Sequence, residues 1–169
     1  MRSFRILKDN EIECRVAEME KTGRGLYLLL YKTARTDAAL LDEVVGAYNW
    51  QNDFKEIGGK MYCGIGIKQD DLWIWKWDCG SESNMEAEKG QASDAFKRAG
   101  FKWGIGAELY SAPKIFISKE HCNIKEYNGR YRCYDTFTIE KIAYDENENI
   151  RGLAIWNETK NERCFTWAK

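Results

Sequence analysis

Tryptophan recurs with a period of two in the middle of the chain. In LWIWKWDC (72–79), Trp73, Trp75 and Trp77 alternate with apolar and then polar residues: Leu72, Ile74, Lys76 and Asp78. This period is that of a β-strand, because successive side chains of a strand point to opposite faces. Two strand-like segments precede it, NWQNDFKEI (49–57) and KMYCGIGIK (60–68), separated by the hairpin signal Gly58-Gly59. The pattern predicts a three-stranded antiparallel meander.

The meander is followed by a segment with the period of a helix. Residues 84–101 place four apolar side chains on one stripe, at about 100° per residue: Ala92, Ala95, Phe96 and Ala99. Ser83 and Glu86 fit a capping box at the start of this helix. We therefore predict an α+β fold with an antiparallel β-β-β-α core, in which a long helix packs across a curved meander sheet.

The flanking segments predict further elements. A strand at 26–31 is followed by a short helix, RTDAALLDEVVG (35–46), capped by Thr36 or Asp37 and ended by Gly46. Residues 11–25 form a mixed opening segment without a clear period. Beyond Pro113, four segments have the composition of strands and predict a second, smaller antiparallel element, continuous with the first sheet: 114–118, 131–145, 150–157 and 163–168. We expect one domain over 1–169, with its core at 25–117 and a C-terminal β element at 118–169.

Composition excludes several classes of site. The 169 residues contain six cysteines without a C-x-x-C pair and one histidine, His121, so neither a structural zinc site nor a His-based catalytic triad is predicted. The chain has no P-loop, and its two GIG motifs lack the context of a dinucleotide-binding turn. Because the opening residues are mixed and charged, we expect no secretory segment, and the apolar run GLYLLLY is too short to cross a membrane. We expect a cytoplasmic protein with free thiols.

Basic residues follow the predicted helix although the formal net charge of the chain is −1. Lys89 and Lys97 lie on one flank with Ser93, whereas Arg98 lies on the other flank, four residues after Asp94. One interpretation is a solvated helix face with an Arg98–Asp94 salt bridge. The other is a stripe that follows a phosphate backbone, formed by Lys89, Lys97, Arg98 and Lys102, with aromatic side chains nearby for bases.

The stretch EKGQASDAFKRAGFKWGIGAELY (88–110) resembles the signature of the single-strand annealing proteins related to the Rad-fifty-two recombination mediator, and most closely their phage relatives of the Sak type. YKTARTDAALLDEVVGAYNWQ (31–51) resembles the family's Arg-containing turn, short helix and entry to the sheet. CGIGI (63–67) and WIWKWDCGSES (73–83) resemble its meander. The resemblance implies a core that assembles side by side into a ring or short filament. A positive groove of this assembly would hold single-stranded DNA.

The resemblance also implies a site and a function. Lys97 and Arg98 would line the groove with Lys89 beside them, Arg35 would be the basic residue before the first helix, and Lys68 would belong to an outer DNA contact. The function implied is ATP-independent single-stranded DNA binding and annealing in homologous recombination and strand-break repair, by a phage-encoded protein in the bacterial host cytoplasm. It needs no catalytic residue, metal or cofactor, so the chain would not be an enzyme.

Two alternatives to this function stay open. The first is an oligomeric interaction module, or a DNA-end-protecting module, with the same fold and without annealing activity. The second is an enzyme such as a nuclease. A single-strand-binding protein or a recombinase is a further candidate partner, and the sequence does not distinguish DNA from RNA.

Overall fold

The structure is a computed structural model that describes residues 4–81 and 87–169, with side chains for 4–81 and 90–169. The chain divides into two compact units. The first unit comprises residues up to Ile6 and Lys32–Ala107, and the second comprises Leu7–Tyr31 and Glu108–Lys169. The single domain expected over 1–169 stays a prediction.

Eleven strands and two α-helices are present in the described residues. In chain order these are β1 (Glu13–Met19), β2 (Gly25–Tyr31), α1 (Ala34–Val45), β3 (Trp50–Ile57), β4 (Lys60–Gln69), β5 (Leu72–Cys79), α2 (Ala87–Lys102), β6 (Ile115–Ser118), β7 (Ile124–Tyr127), β8 (Arg130–Cys133), β9 (Phe137–Tyr144), β10 (Ile150–Asn157) and β11 (Glu162–Ala168). Short 3-10 helices occupy Asp9–Glu11 and Ala107–Ser111.

The first unit contains the predicted meander. Strands β3, β4 and β5 form an antiparallel sheet in that order, with their bounds within one residue of those expected. The hairpin between β3 and β4 turns at Gly58 and Gly59, whose φ angles are 59° and 75°. Two consecutive positive φ angles are those of a type I′ turn, which glycine adopts without steric cost. The hairpin prediction is therefore confirmed.

Helix α2 packs across one face of this sheet, mainly on β4 and β5. Ala95, Phe96 and Ala99 of its apolar stripe are buried, as are Ile65 and Ile67 on β4. The predicted α+β class and the antiparallel β-β-β-α arrangement are confirmed. The predicted start of the helix at residue 84 and its capping box at Ser83 and Glu86 lie outside the described residues.

Helix α1 begins earlier than expected. Its N-cap is Thr33, whose hydroxyl oxygen accepts a hydrogen bond from the backbone N–H of Thr36. Capping by Thr36 or Asp37 was therefore the wrong prediction, because both lie inside the first turns and the Asp37 side chain is buried. Gly46 ends the helix with φ 87°, as predicted.

The second unit is built from three β elements. Strands β1, β2 and β6 form one antiparallel sheet, β9, β10 and β11 form another, and β7 pairs with β8. The predicted C-terminal strands are present, but none of them pairs with a strand of the meander: β6 joins β2, and β9, β10 and β11 form a sheet of their own. The expectation that they continue the meander was therefore wrong. The expected strand at 131–145 divides into β8 and β9. Between them, the Asp135 carboxylate accepts hydrogen bonds from Asn123 and Asn157.

Two further strands went unpredicted, β1 in the mixed opening segment and β7 before the turn at Asn128-Gly129. No helix within residues 4–81 and 87–169 is long and apolar enough to cross a membrane.

Candidate nucleic-acid interface

One flank of α2 faces β5, and three basic side chains lie there, two from the helix and one from the strand. Arg98 and Lys102 are exposed and lie one turn apart on the helix. Lys76 of β5 donates a hydrogen bond of 2.9 Å from Nζ to the Lys102 carbonyl, and its ammonium lies 4.2 Å from the ring centroid of Trp103. The Trp103 indole N–H in turn donates to the Ile65 carbonyl at 3.0 Å. Lys76, Arg98, Lys102 and Trp103 thus form a basic and aromatic cluster, called here the helix-end cluster.

The partner of Arg98 differs from the one expected. Its guanidinium lies 3.6 Å from the Asp78 carboxylate of β5, and 45% of the side chain is exposed. Asp94 instead accepts hydrogen bonds from the backbone N–H and the hydroxyl of Ser81, at 2.8 and 2.9 Å. The predicted Arg98–Asp94 pair was wrong because α2 packs on β5, which brings a strand carboxylate to the guanidinium. An exposed pair of this kind contributes little to stability, so Arg98 is available to another anion.

The other flank of α2 faces α1 and covers a buried ion pair. The side chains of Lys32 and Asp37 are 1% and 0% exposed, and the Lys32 ammonium donates to the Asp37 carboxylate. The same ammonium donates to the Lys97 carbonyl at 3.1 Å and lies 4.0 Å from the centroid of the Phe101 ring. Lys32 therefore fixes the backbone of α2 at the position of Lys97, whose own side chain is half-buried.

Burial and charge act in opposite directions on Asp37. Burial raises the pKa of its carboxyl to about 6, and the positive charges of Lys32 and Lys97 offset part of that increase. The charge of the half-buried Lys97 side chain thus helps to stabilise the buried Asp37 carboxylate.

Gly100 explains how closely the two helices approach each other. A Cβ atom at this position would lie under 3.0 Å from the Asp37 carboxylate. Any other residue would therefore push α2 away from α1, along with the Lys97-Arg98 pair that precedes Gly100 by two residues.

The six predicted site residues do not lie at one place. Arg98 and Lys102 belong to the helix-end cluster, whereas Lys97 lies on the α1 flank. Arg35 is exposed on the first turn of α1. Lys68 is exposed on β4, opposite Trp73 in the register of the sheet. The side chain of Lys89 is outside the described residues.

The sheet face opposite α2 carries the three tryptophans of β5. Trp77 and Trp75 lie opposite Gly64 and Gly66 of β4, and a Cβ at either glycine would lie under 3.0 Å from the facing indole. The two indoles stack with centroids 5.7 Å apart and planes inclined by 24°. Lys55 of β3 places its ammonium 4.4 Å from the Trp77 ring centroid. We call this surface the tryptophan face; it comprises Trp73, Trp75, Trp77, Gly64, Gly66, Lys55 and Lys68.

Three features of this site were missed from the sequence: the Lys32–Asp37 pair, the participation of Lys76, and the packing of the predicted tryptophan row on the glycines of β4. The last had a sequence signal, because GIG at 64–66 and WKW at 75–77 flank one hairpin and both have a period of two. Within the part of the chain that the structure describes, no three His, Cys, Asp or Glu side chains are grouped to hold a metal ion.

Comparison with protein-family models, curated proteins and solved structures finds no match to this chain. The resemblance to the single-strand annealing family therefore stays a prediction drawn from the sequence.

Proposed function

We propose that this protein binds single-stranded DNA and anneals complementary strands without ATP, in homologous recombination and strand-break repair. The observation that supports this most is the helix-end cluster. Two exposed cations on successive turns of α2 lie beside Lys76 and an aromatic ring. Cationic side chains next to aromatic rings are the usual means of holding a single strand, with phosphates on the cations and bases on the rings.

The proposed activity makes and breaks no covalent bond. Basic side chains attract two strands to one surface, which raises their local concentration and steers them together. Lys97 is held in place by the hydrogen bond from Lys32 to its carbonyl. Arg98 exchanges its partner Asp78 for a phosphate, and that exchange conserves the number of ion pairs. The protein then acts as a binding protein rather than an enzyme, in the bacterial host cytoplasm.

Self-assembly is the second part of the proposal. The meander has two edge strands, β3 and β5, that pair only with β4 among the described residues. Ile57 and Leu72 at their ends are exposed apolar side chains. Long unpaired edges are templates for pairing with another chain, and pairing β3 of one copy with β5 of the next gives a ring or a filament. Such an assembly repeats the basic surface of each copy, so a chain of net charge −1 still presents a positive track.

The same edge strands favour an alternative candidate function. An interaction module or DNA-end-protecting module needs the exposed edges for assembly and does not need annealing. Annealing activity in solution distinguishes the two functions.

The first experiment measures annealing of two complementary fluorescent oligonucleotides without ATP, at low and moderate salt. We expect acceleration that decreases with salt, because phosphate contacts release counterions. Replacing both Lys97 and Arg98 with Ala should abolish binding and annealing while the assembly keeps its size. The matched control is Lys141→Ala with Arg151→Ala, which removes the same charge from two exposed residues of the second unit. Wild-type binding by the Lys97/Arg98 variant would refute the site, and an assembly without annealing would favour the interaction module.

A further inference from the structure

The tryptophan face is not explained by packing alone. Indoles over strand glycines stabilise a sheet, and this accounts for Trp75 and Trp77. Trp73 lies opposite Lys68 rather than a glycine, and 37% of it is exposed. An indole is costly to expose to water without a partner, because it carries one of the largest apolar surfaces of any side chain.

The charges of this face favour an anionic, aromatic partner. Within the strands β3–β5, alternation and register place three lysines, Lys55, Lys60 and Lys68, on the side of the sheet that carries the tryptophans, together with one carboxylate, Asp53. The Lys55 ammonium is 3.8 Å from that carboxylate and 4.4 Å from the Trp77 ring centroid. Lys68 lies at the other end of the row, near Trp73. A row of indoles with an ammonium at each end matches bases and the phosphates that join them.

We propose that the tryptophan face stacks unpaired bases of a single nucleic-acid strand, with Lys55 and Lys68 on its phosphates. This inference rests on the proposed function for its ligand. The resemblance implies an outer DNA contact at Lys68, and the inference adds the indoles on that side of the sheet as the groups that stack the bases. Alternate residues of a strand are about 6.6 Å apart, roughly twice the 3.4 Å rise per nucleotide of one strand in duplex DNA. Successive bases therefore reach successive indoles only if the strand is stretched and its bases are unstacked from one another.

Photochemical cross-linking locates the bases directly. The wild-type protein is irradiated with an oligonucleotide that contains 5-iododeoxyuridine, and then digested after lysine and arginine. Trp73 and Trp75 lie in peptide 69–76, Trp77 begins peptide 77–89, and Trp103 of the helix-end cluster begins peptide 103–114. We expect cross-links in 69–76 or 77–89. Cross-links confined to 103–114 would overturn the inference and leave the proposed function standing.

Two adjacent residues of β5 give a matched pair of variants. Trp73→Ala removes an exposed indole from the tryptophan face, whereas Ile74→Ala removes an exposed side chain from the opposite face of the same strand. Trp73→Ala should lower the affinity for labelled oligo(dT) by about five-fold or more, which is the lower range for a stacked base. Its affinity for an abasic oligonucleotide of equal length, and the affinity of Ile74→Ala for both, should stay within two-fold of the wild type.

Three other outcomes distinguish failure of the proposed function from failure of this inference alone. No binding of oligo(dT) by the wild type refutes the proposed function together with this inference. If Trp73→Ala lowers the affinity for oligo(dT) and for the abasic strand equally, the variant disturbs the sheet rather than a stacking contact with a base. That outcome refutes the inference. A smaller assembly in sedimentation, with unchanged binding per subunit, shows that the face packs on a second copy and also refutes it.

Discussion

The buried Lys32–Asp37 pair should determine the stability of the first unit. Lys32→Met retains most of the apolar length of the side chain and removes its charge. The variant leaves a carboxylate that is 0% exposed without its ion-pair partner, and it removes the hydrogen bond to the Lys97 carbonyl. Breaking one member of a buried pair costs about 3–5 kcal/mol, because the remaining charge stays desolvated. That cost is a large part of the free energy of unfolding of a whole domain, which is typically about 5–15 kcal/mol.

Urea unfolding followed by tryptophan fluorescence measures this cost. Five of the seven tryptophans belong to the first unit, so the signal reports mainly on it: Trp50, Trp73, Trp75, Trp77 and Trp103. Lys60→Met is the matched control, because Lys60 is exposed at the β3–β4 hairpin and its loss should change the free energy of unfolding by about 0.5 kcal/mol or less. A second variant, Lys32→Met with Asp37→Leu, removes both charges and should recover most of the loss.

The pH dependence tests whether charge is the cause. Burial raises the pKa of Asp37 to about 6, above the ordinary value of 3.8 that applies to the unfolded chain. Between these values the folded state binds a proton that the unfolded state lacks, so this group's contribution to stability falls as the pH rises through 6. Without Lys32 the folded-state pKa rises further. The loss of unfolding free energy in Lys32→Met, relative to the wild type, should therefore be smaller at pH 5 than at pH 8. A deficit below about 1 kcal/mol at pH 8, or one that does not change with pH, would refute the reasoning.

Two further predictions concern nucleic-acid binding. Asp78→Asn removes the carboxylate 3.6 Å from Arg98, so affinity for a single-stranded oligonucleotide should rise a few-fold in fluorescence anisotropy; unchanged affinity would show that Arg98 does not contact the strand. Arg35→Ala should weaken binding equally for all sequences and reduce the salt slope by about one, as expected for a phosphate contact. An unaltered slope would remove Arg35 from the site.

Local patterns were sufficient to predict the meander, the end of α1 at Gly46 and the apolar stripe of α2. Each of these depends on a period or a turn within a few residues. The N-cap of α1 was placed wrongly because burial of Asp37 against α2 is a tertiary effect. Strand β7 was missed although Asn128-Gly129 is a strong hairpin signal; both residues have positive φ angles, 50° and 75°.

The candidate site was less predictable than the fold. The Lys97-Arg98 pair was found from its position on the helix, but its partners come from other elements. Asp78 is twenty residues from Arg98 in the sequence, and Lys32 meets the Lys97 carbonyl only after α1 and α2 pack together. No helical spacing rule applies to such contacts, because they depend on which strand lies under which flank of the helix.

The pairing of β2 with β6 has a consequence for biosynthesis. Leu28 pairs with Ile115 and Gly25 with Ser118, so residues 32–107 of the first unit form an insertion within the second. A ribosome releases β2 soon after its first partner, β1, but long before its second partner, β6, exists. The buried side chains of Leu26 and Leu28, which pair with β6, therefore stay incompletely covered until β6 is synthesised. Closing so long a loop is slow when the intervening chain is unfolded. Early folding of the insertion would bring its ends together and shorten that wait. Nascent chains that end before Ser118 should therefore be the form of this protein that needs chaperones most.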